Sequence, residues 1–110
     1  MAEPNTFKPT VIFDPNARLD YGFGFANLID SGDVIVSCEF AVCVGNPGGE
    51  PITGAQLTLG VIDAESSTVW AWFTVTDESL VNKTIAGTCR YTTAEGRSDD
   101  RTIYFLIRNR

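Results

Sequence analysis

Histidine is absent from the 110 residues. That excludes Ser-His-Asp and Cys-His nucleophile pairs and any His-ligated zinc site. Cysteine is scarce, at Cys38, Cys43 and Cys89. An odd count with no C-x-x-C spacing argues against a disulfide framework, a zinc ribbon or a thioredoxin-like site. The three thiols read as small buried hydrophobes. No apolar run approaches the roughly 18 residues that a membrane-crossing helix needs. Met1 to Thr10 contains Glu3, Pro4, Asn5 and Pro9 and no apolar core. No signal peptide is expected there, so the cytosol of the producing cell is the default compartment. Basic residues are few: eight Lys and Arg stand against fourteen Asp and Glu, a net charge of −6. Nucleic-acid binding usually requires a basic patch, so this balance argues against it.

What remains is the composition of a globular protein, 44% hydrophobic and 20% charged. The length predicts one domain over 1–110, and such a chain buries roughly two-thirds of its unfolded surface. Period-two alternation predicts the class. Val34, Val36, Cys38, Phe40 and Val42 alternate with Ile35, Ser37, Glu39 and Ala41. Leu57, Leu59 and Val61 form a second such set, and Val69, Ala71, Phe73 and Val75 a third. Ile85, Gly87, Cys89 and Tyr91 form a fourth, and Ile103, Phe105 and Ile107 a fifth. Each reads as a strand with one buried face. Thr10 to Phe13 and Arg18 to Phe23 are shorter candidates.

The punctuation agrees. Turns are predicted at Asp14-Pro15-Asn16 and Asp30-Ser31-Gly32-Asp33, and a loop at Gly45 to Pro51. Ala64 to Ser67 and Ala94 to Arg97 read as hairpin connections, and Asp77 to Lys83 as a longer polar loop. This is the pattern of an antiparallel β-sandwich. The aromatic stretch from Asp14 to Gly32 is interrupted by Gly22 and Gly24, which suggests a bulge or bend. Either a strand leads there into a helical turn near Phe25 to Ile29 that plugs one end, or the stretch docks another chain.

No catalytic constellation can be named, so the chain is not expected to be an enzyme. Asp30, Asp33, Asp77, Glu78, Asp99 and Asp100 lack EF-hand spacing and read as solvated turn residues. Gly45 to Gly49 lacks the Gly-Lys-Ser/Thr ending of a phosphate loop. No metal and no cofactor are expected.

Two surface features carry more information. With Val69, Ala71 and Phe73 inward, Trp70 and Trp72 face outward; with Ile103, Phe105 and Ile107 inward, so do Tyr104 and Leu106. Exposed Trp and Tyr are enriched at interface hot spots, so these four are the predicted contact residues. The second feature is charge asymmetry. Residues 90–110 hold five Arg against three acids, and residues 1–89 hold three bases against eleven acids. Opposite ends of neighbouring copies could then attract head to tail, as in a homo-oligomeric ring. Arg97, Arg101 and Arg108 are the predicted polar contributors.

Three stretches resemble a known family. The first is Phe13-Asp14-Pro15-Asn16-Ala17-Arg18-Leu19-Asp20-Tyr21; the second is Leu28-Ile29-Asp30-Ser31-Gly32-Asp33-Val34-Ile35. The third runs from Tyr91-Thr92-Thr93-Ala94-Glu95-Gly96-Arg97 through Ser98-Asp99-Asp100-Arg101-Thr102. Their order and spacing are similar to those of small tailed-phage structural proteins, the fiber-tail adaptors. The final hairpin also resembles the last two strands of bacterial immunoglobulin-like domains. The sequence departs from the family at Thr76 to Val81, where a Gly-rich turn often follows the Trp strand.

The resemblance implies a virion protein, assembled in the host bacterial cytoplasm, with immunoglobulin-like character in a sandwich of about seven strands. Its partners would be other tail, neck or fiber proteins reached by rigid docking, with no nucleic acid and no membrane. A capsid decoration or head-completion protein and a carbohydrate-binding sandwich module are the alternatives. In an immunoglobulin-like sandwich Cys38 and Cys89 would fall on inward positions of strands facing across the core. Assembly in a reducing cytosol predicts no disulfide between them.

Overall fold

The structure is a computed structural model and describes residues 10–30 and 32–109. The reading of Met1 to Thr10 as free of an export signal falls, up to residue 9, outside the described residues, as does Ser31 of its predicted turn.

Seven strands form among the described residues: β1 (Thr10–Phe13), β2 (Arg18–Gly24), β3 (Ile35–Val44), β4 (Ala55–Asp63), β5 (Thr68–Val75), β6 (Thr84–Thr93) and β7 (Ser98–Ile107). Single 3-10 turns sit at Ala26–Leu28 and Glu78–Leu80. The strands make a four-stranded sheet in the order β1-β7-β6-β3 and a three-stranded sheet in the order β2-β5-β4. The predicted all-β class holds, with one exception to antiparallel pairing: β1 runs parallel to β7, Thr10 opposite Tyr104 and Phe13 opposite Ile107.

Alternation on both sheets sends large apolar side chains into the space between them. Phe13, Phe73, Phe105, Ile85 and Ile107 are fully buried in one cluster, and Phe23, Phe25, Val69, Ala71, Cys89 and Tyr91 in a second. Phe73 and Phe105 come from opposite sheets and stack with centroids 3.8 Å apart; Phe13 meets Phe73 edge-on at 4.7 Å. Such ring pairs contribute about 0.5–1.5 kcal/mol each beyond the area they bury. Within the Asp14-to-Gly32 stretch, β2 joins the three-stranded sheet and the turn that follows it covers one end of the sandwich. Phe25 lies 4.4 Å from the Tyr91 ring, and the Tyr91 hydroxyl reaches the Leu28 carbonyl at 3.5 Å.

Two bulges correct the simple alternation. In β3 the register shifts between Ile35 and Ser37, so Ile35 is buried while Val34 and Val36 are exposed. An extra residue reverses every face beyond it. In β4 the shift lies between Leu59 and Val61. Val61 is thereby carried to the outer surface. Leu59 stays on the inner side, opposite buried Ala71, but is exposed because β4 is an edge strand. The cysteine geometry also differs from expectation. Cys38 and Cys89 lie on neighbouring strands of one sheet, diagonal across the Cys38–Tyr91 and Phe40–Cys89 pairs, and not across the core. All three cysteines are free thiols. Burial first, and then the Cys38 thiol beside it, push the Cys89 thiol up to about 12.

Candidate functional site

The second and third motifs meet at one end of the sandwich, while the Pro15–Asn16 turn of the first lies at the other end beside Val75, Thr76 and Asp77. Asp33 has a fully buried side chain whose oxygens accept from Val34 N at 3.0 Å, Glu95 N at 3.2 Å and Arg97 Nη1 at 3.4 Å. Arg97 Nη1 also lies 3.2 Å from both Asp30 and Glu95. Arg97 N donates to Thr93 Oγ1 at 3.1 Å, and Ala94 N to the Val34 carbonyl at 2.9 Å. Burial alone would raise the Asp33 carboxyl. The hydrogen bonds from Thr93, Glu95 and Val34 and the Arg97 charge outweigh it and hold the group below its ordinary range. This clamp ties the β2–β3 turn to the β6–β7 turn across 62 residues of chain. The first motif is also largely architectural. Asp14 Oδ1 accepts from Asn16 N at 2.8 Å to close the turn, and Tyr21 packs 5.0 Å from Phe105.

The first motif also supplies two residues that do not face the core. With Leu19, Tyr21 and Phe23 on the inner side, Arg18 and Asp20 of β2 point to the outer surface of the three-stranded sheet. Asp20 pairs across to Trp72 and Gly22 to Trp70 of β5; Thr58 and Val61 of β4 complete those two rows. Two glycines make room for the indoles. A Cβ on Gly22 would stand 3.1 Å from the far edge of the Trp70 ring, and one on Gly60 would stand 3.4 Å from Trp72 Nε1. Trp70 therefore lies toward β2 and Trp72 toward β4. The Arg18 guanidinium sits 4.2 Å from the centre of the Trp72 ring. Asp20, Gly60, Val61, Trp70 and Trp72 together line a shallow depression of about 440 Å³. Trp70 is 38% exposed and Val61 56%, large values for such side chains on a sheet face.

Tyr104 and Leu106 are half-buried and lie elsewhere. They face outward from β7 in the four-stranded sheet, beside Thr10 and Ile12 of β1 and Ala86 and Thr84 of β6. Because Trp70 and Trp72 belong to the other sheet, the four predicted contact residues make two faces on opposite sides of the sandwich. The predicted Arg set also divides. Arg97 is held by three carboxylates of its own chain, whereas Arg101 and Arg108 are exposed. Arg101 borders a second depression with Gly22, Gly24 and Ile103. Arg90 pairs with Asp100 at 3.3 Å. Two of the five Arg of residues 90–110 are thus paired within the chain, Arg97 with acids of residues 1–89 as well as with Glu95.

Arg18, Asp20, Gly22, Gly60 and Val61 are the residues of the Trp face that sequence reasoning passed over. For Arg18 and Asp20 the signal was present, since alternation about Tyr21 places them outward. For Val61 it was hidden by the bulge. Among the described residues no group of three or more Cys, Asp or Glu is arranged to hold a metal ion, and no helix is long and apolar enough to cross a membrane.

A family model described as podophage GP4 fiber-tail adaptor protein gp77 matches residues 14–106. No curated protein matches the chain.

Proposed function

The chain belongs to that podophage fiber-tail adaptor family, and from this premise we propose that it joins tail and fiber components through two opposed faces of one sandwich domain. It is a structural component of the virion; its role is to hold neighbours and not to turn over a substrate. The observation that carries the reading is the separation of Trp70 and Trp72 from Tyr104 and Leu106 by the packed core. An adaptor needs a surface for each of two neighbours, and a sandwich locked by interleaved Phe side chains keeps those surfaces at a set distance. Preorganised faces of this kind lose little freedom on docking. The strand order, three against four with the first strand beside the last, supports an immunoglobulin-like description. Family membership favours the tail over the capsid, and assembly in the host cytoplasm fits three unpaired thiols.

The test is particle composition. Virions produced with Trp70→Ala/Trp72→Ala should lose this protein or the fibers, measured by mass spectrometry of purified particles. Virions with Tyr104→Ala/Leu106→Ala should lose the other neighbour. Particles of unchanged composition with both variants, each shown folded by circular dichroism, would refute the reading.

A further inference from the structure

We propose that the depression between Trp70 and Trp72 is a seat for an arginine side chain from a neighbouring basic protein, with Trp70 as stacking platform and Asp20 as counter-ion. The inference rests on the reading that the Trp face docks a neighbour, and it specifies the chemistry of that contact.

The face already holds one such contact internally. Arg18 lies over Trp72 at 4.2 Å, showing that this surface accommodates a guanidinium on an indole. Trp70 is the neighbouring outward ring on the same strand, and no cation covers it among the described residues. Asp20 lines the same depression, and its side chain makes no ion pair or hydrogen bond among the described residues. Stacking platform and carboxylate therefore converge on one opening with the incoming charge missing. A planar guanidinium fits both at once, since it can stack on the ring while donating a pair of hydrogen bonds to the carboxylate. A lysine ammonium would satisfy Asp20 as a point charge but would leave the flat face of Trp70 less well covered.

Charge selects the source. The chain carries −6 overall, which favours a basic neighbour over a second copy of the same charge. Within the chain, Arg90 and Arg97 are already paired while Arg101 and Arg108 are exposed, so the net charge, and not a lack of arginine, argues against a second copy. The position of Arg18 also weighs against a sugar laid across both indoles, because it occupies the ring face such a ligand would need.

The experiment titrates acetyl-Gly-Arg-Gly-amide into the full chain while following the two indole N–H signals by NMR. The Trp70 signal should shift saturably, with the Trp72 signal moving less. The same peptide with citrulline, which keeps the shape and lacks the charge, should bind at least about tenfold more weakly. Asp20→Asn should weaken the Arg peptide about five- to tenfold, and Trp70→Ala should abolish the smaller shift of the Trp72 signal. Equal affinity for the citrulline peptide, or no effect of Asp20→Asn, would overturn the proposal. So would saturable binding of maltotetraose at Trp70 in place of the peptide, or a homo-oligomer that dissolves in Asp20→Asn. Virion composition separates the two levels. If particles lose a neighbour with Trp70→Ala/Trp72→Ala but not with Asp20→Asn, the docking face stands and the arginine seat falls. If neither variant changes the particle, both fall.

Discussion

Phe73→Ala is the most direct test of the packing that fixes the distance between the two faces. Phe73 is fully buried, stacks on Phe105 of the other sheet at 3.8 Å and 9°, and meets Phe13 edge-on at 4.7 Å. Truncation removes an entire ring from between the sheets. The surrounding side chains relax only partly into the void, because each is already packed against the rest of the core. Phe→Ala at such a site costs about 3–5 kcal/mol. For a domain of this size that corresponds to a Tm about 15–25 °C lower. The loss would take much of a total stability of about 5–15 kcal/mol. Urea unfolding followed by far-UV circular dichroism measures it, with an unchanged slope expected if the native and unfolded states keep their exposure. Phe73→Leu, which retains most of the volume, should cost about 1.5 kcal/mol or less. A cycle with Phe105→Leu should show coupling of about 0.5–1.5 kcal/mol from the ring pair. A loss below about 1 kcal/mol for Phe73→Ala would refute the interlocked core.

Three further outcomes are expected. Gly22→Val places a branched side chain where the Trp70 ring edge now lies, 3.1 Å from a Cβ; the indole should swing outward, seen as stronger acrylamide quenching, and unchanged quenching would contradict the seat. Asp33→Asn should lower Tm at pH 7. Because the native Asp33 carboxyl is held below its ordinary value of 3.8, its contribution is whole above that pH and fades as pH falls through the lower native value. The gap in Tm between wild type and variant should therefore close in acid, and a gap independent of pH would count against the clamp. In native protein at pH 8, iodoacetamide should leave Cys89 unlabelled, since the thiol is buried and pushed up to about 12, while denaturant should expose three labelling sites by intact mass. Rapid native labelling of Cys89 would contradict its position.

Strand existence was legible from the sequence because period-two alternation and turn residues act locally. All seven predicted segments became strands, with ends shifted by a few residues. Bulges were not legible. Nothing in Val34-Ile35-Val36, three β-branched apolar residues in a row, says which one turns inward. The choice is made by pairing with Thr93 and Thr92 of β6, some 60 residues away in the chain. Exposure of Trp70 was legible because Phe73 fixes the parity of β5. Its separation from Tyr104 was not, because parity tells which way a side chain points on its own strand but not which sheet the strand joins. Arg97 looked like a surface contact because its carboxylate partners, Asp30 and Asp33, lie far upstream.

The parallel pairing of β1 with β7 has a mechanical consequence. Suppose tension is applied between the start of β1 and the end of β7. Those points lie at opposite ends of the shared ladder. The force then runs along the strands, and the rungs from Thr10–Tyr104 to Phe13–Ile107 strain together and cannot unzip singly. A joint wired in this way resists tension better than one whose outer ribbon peels from an end.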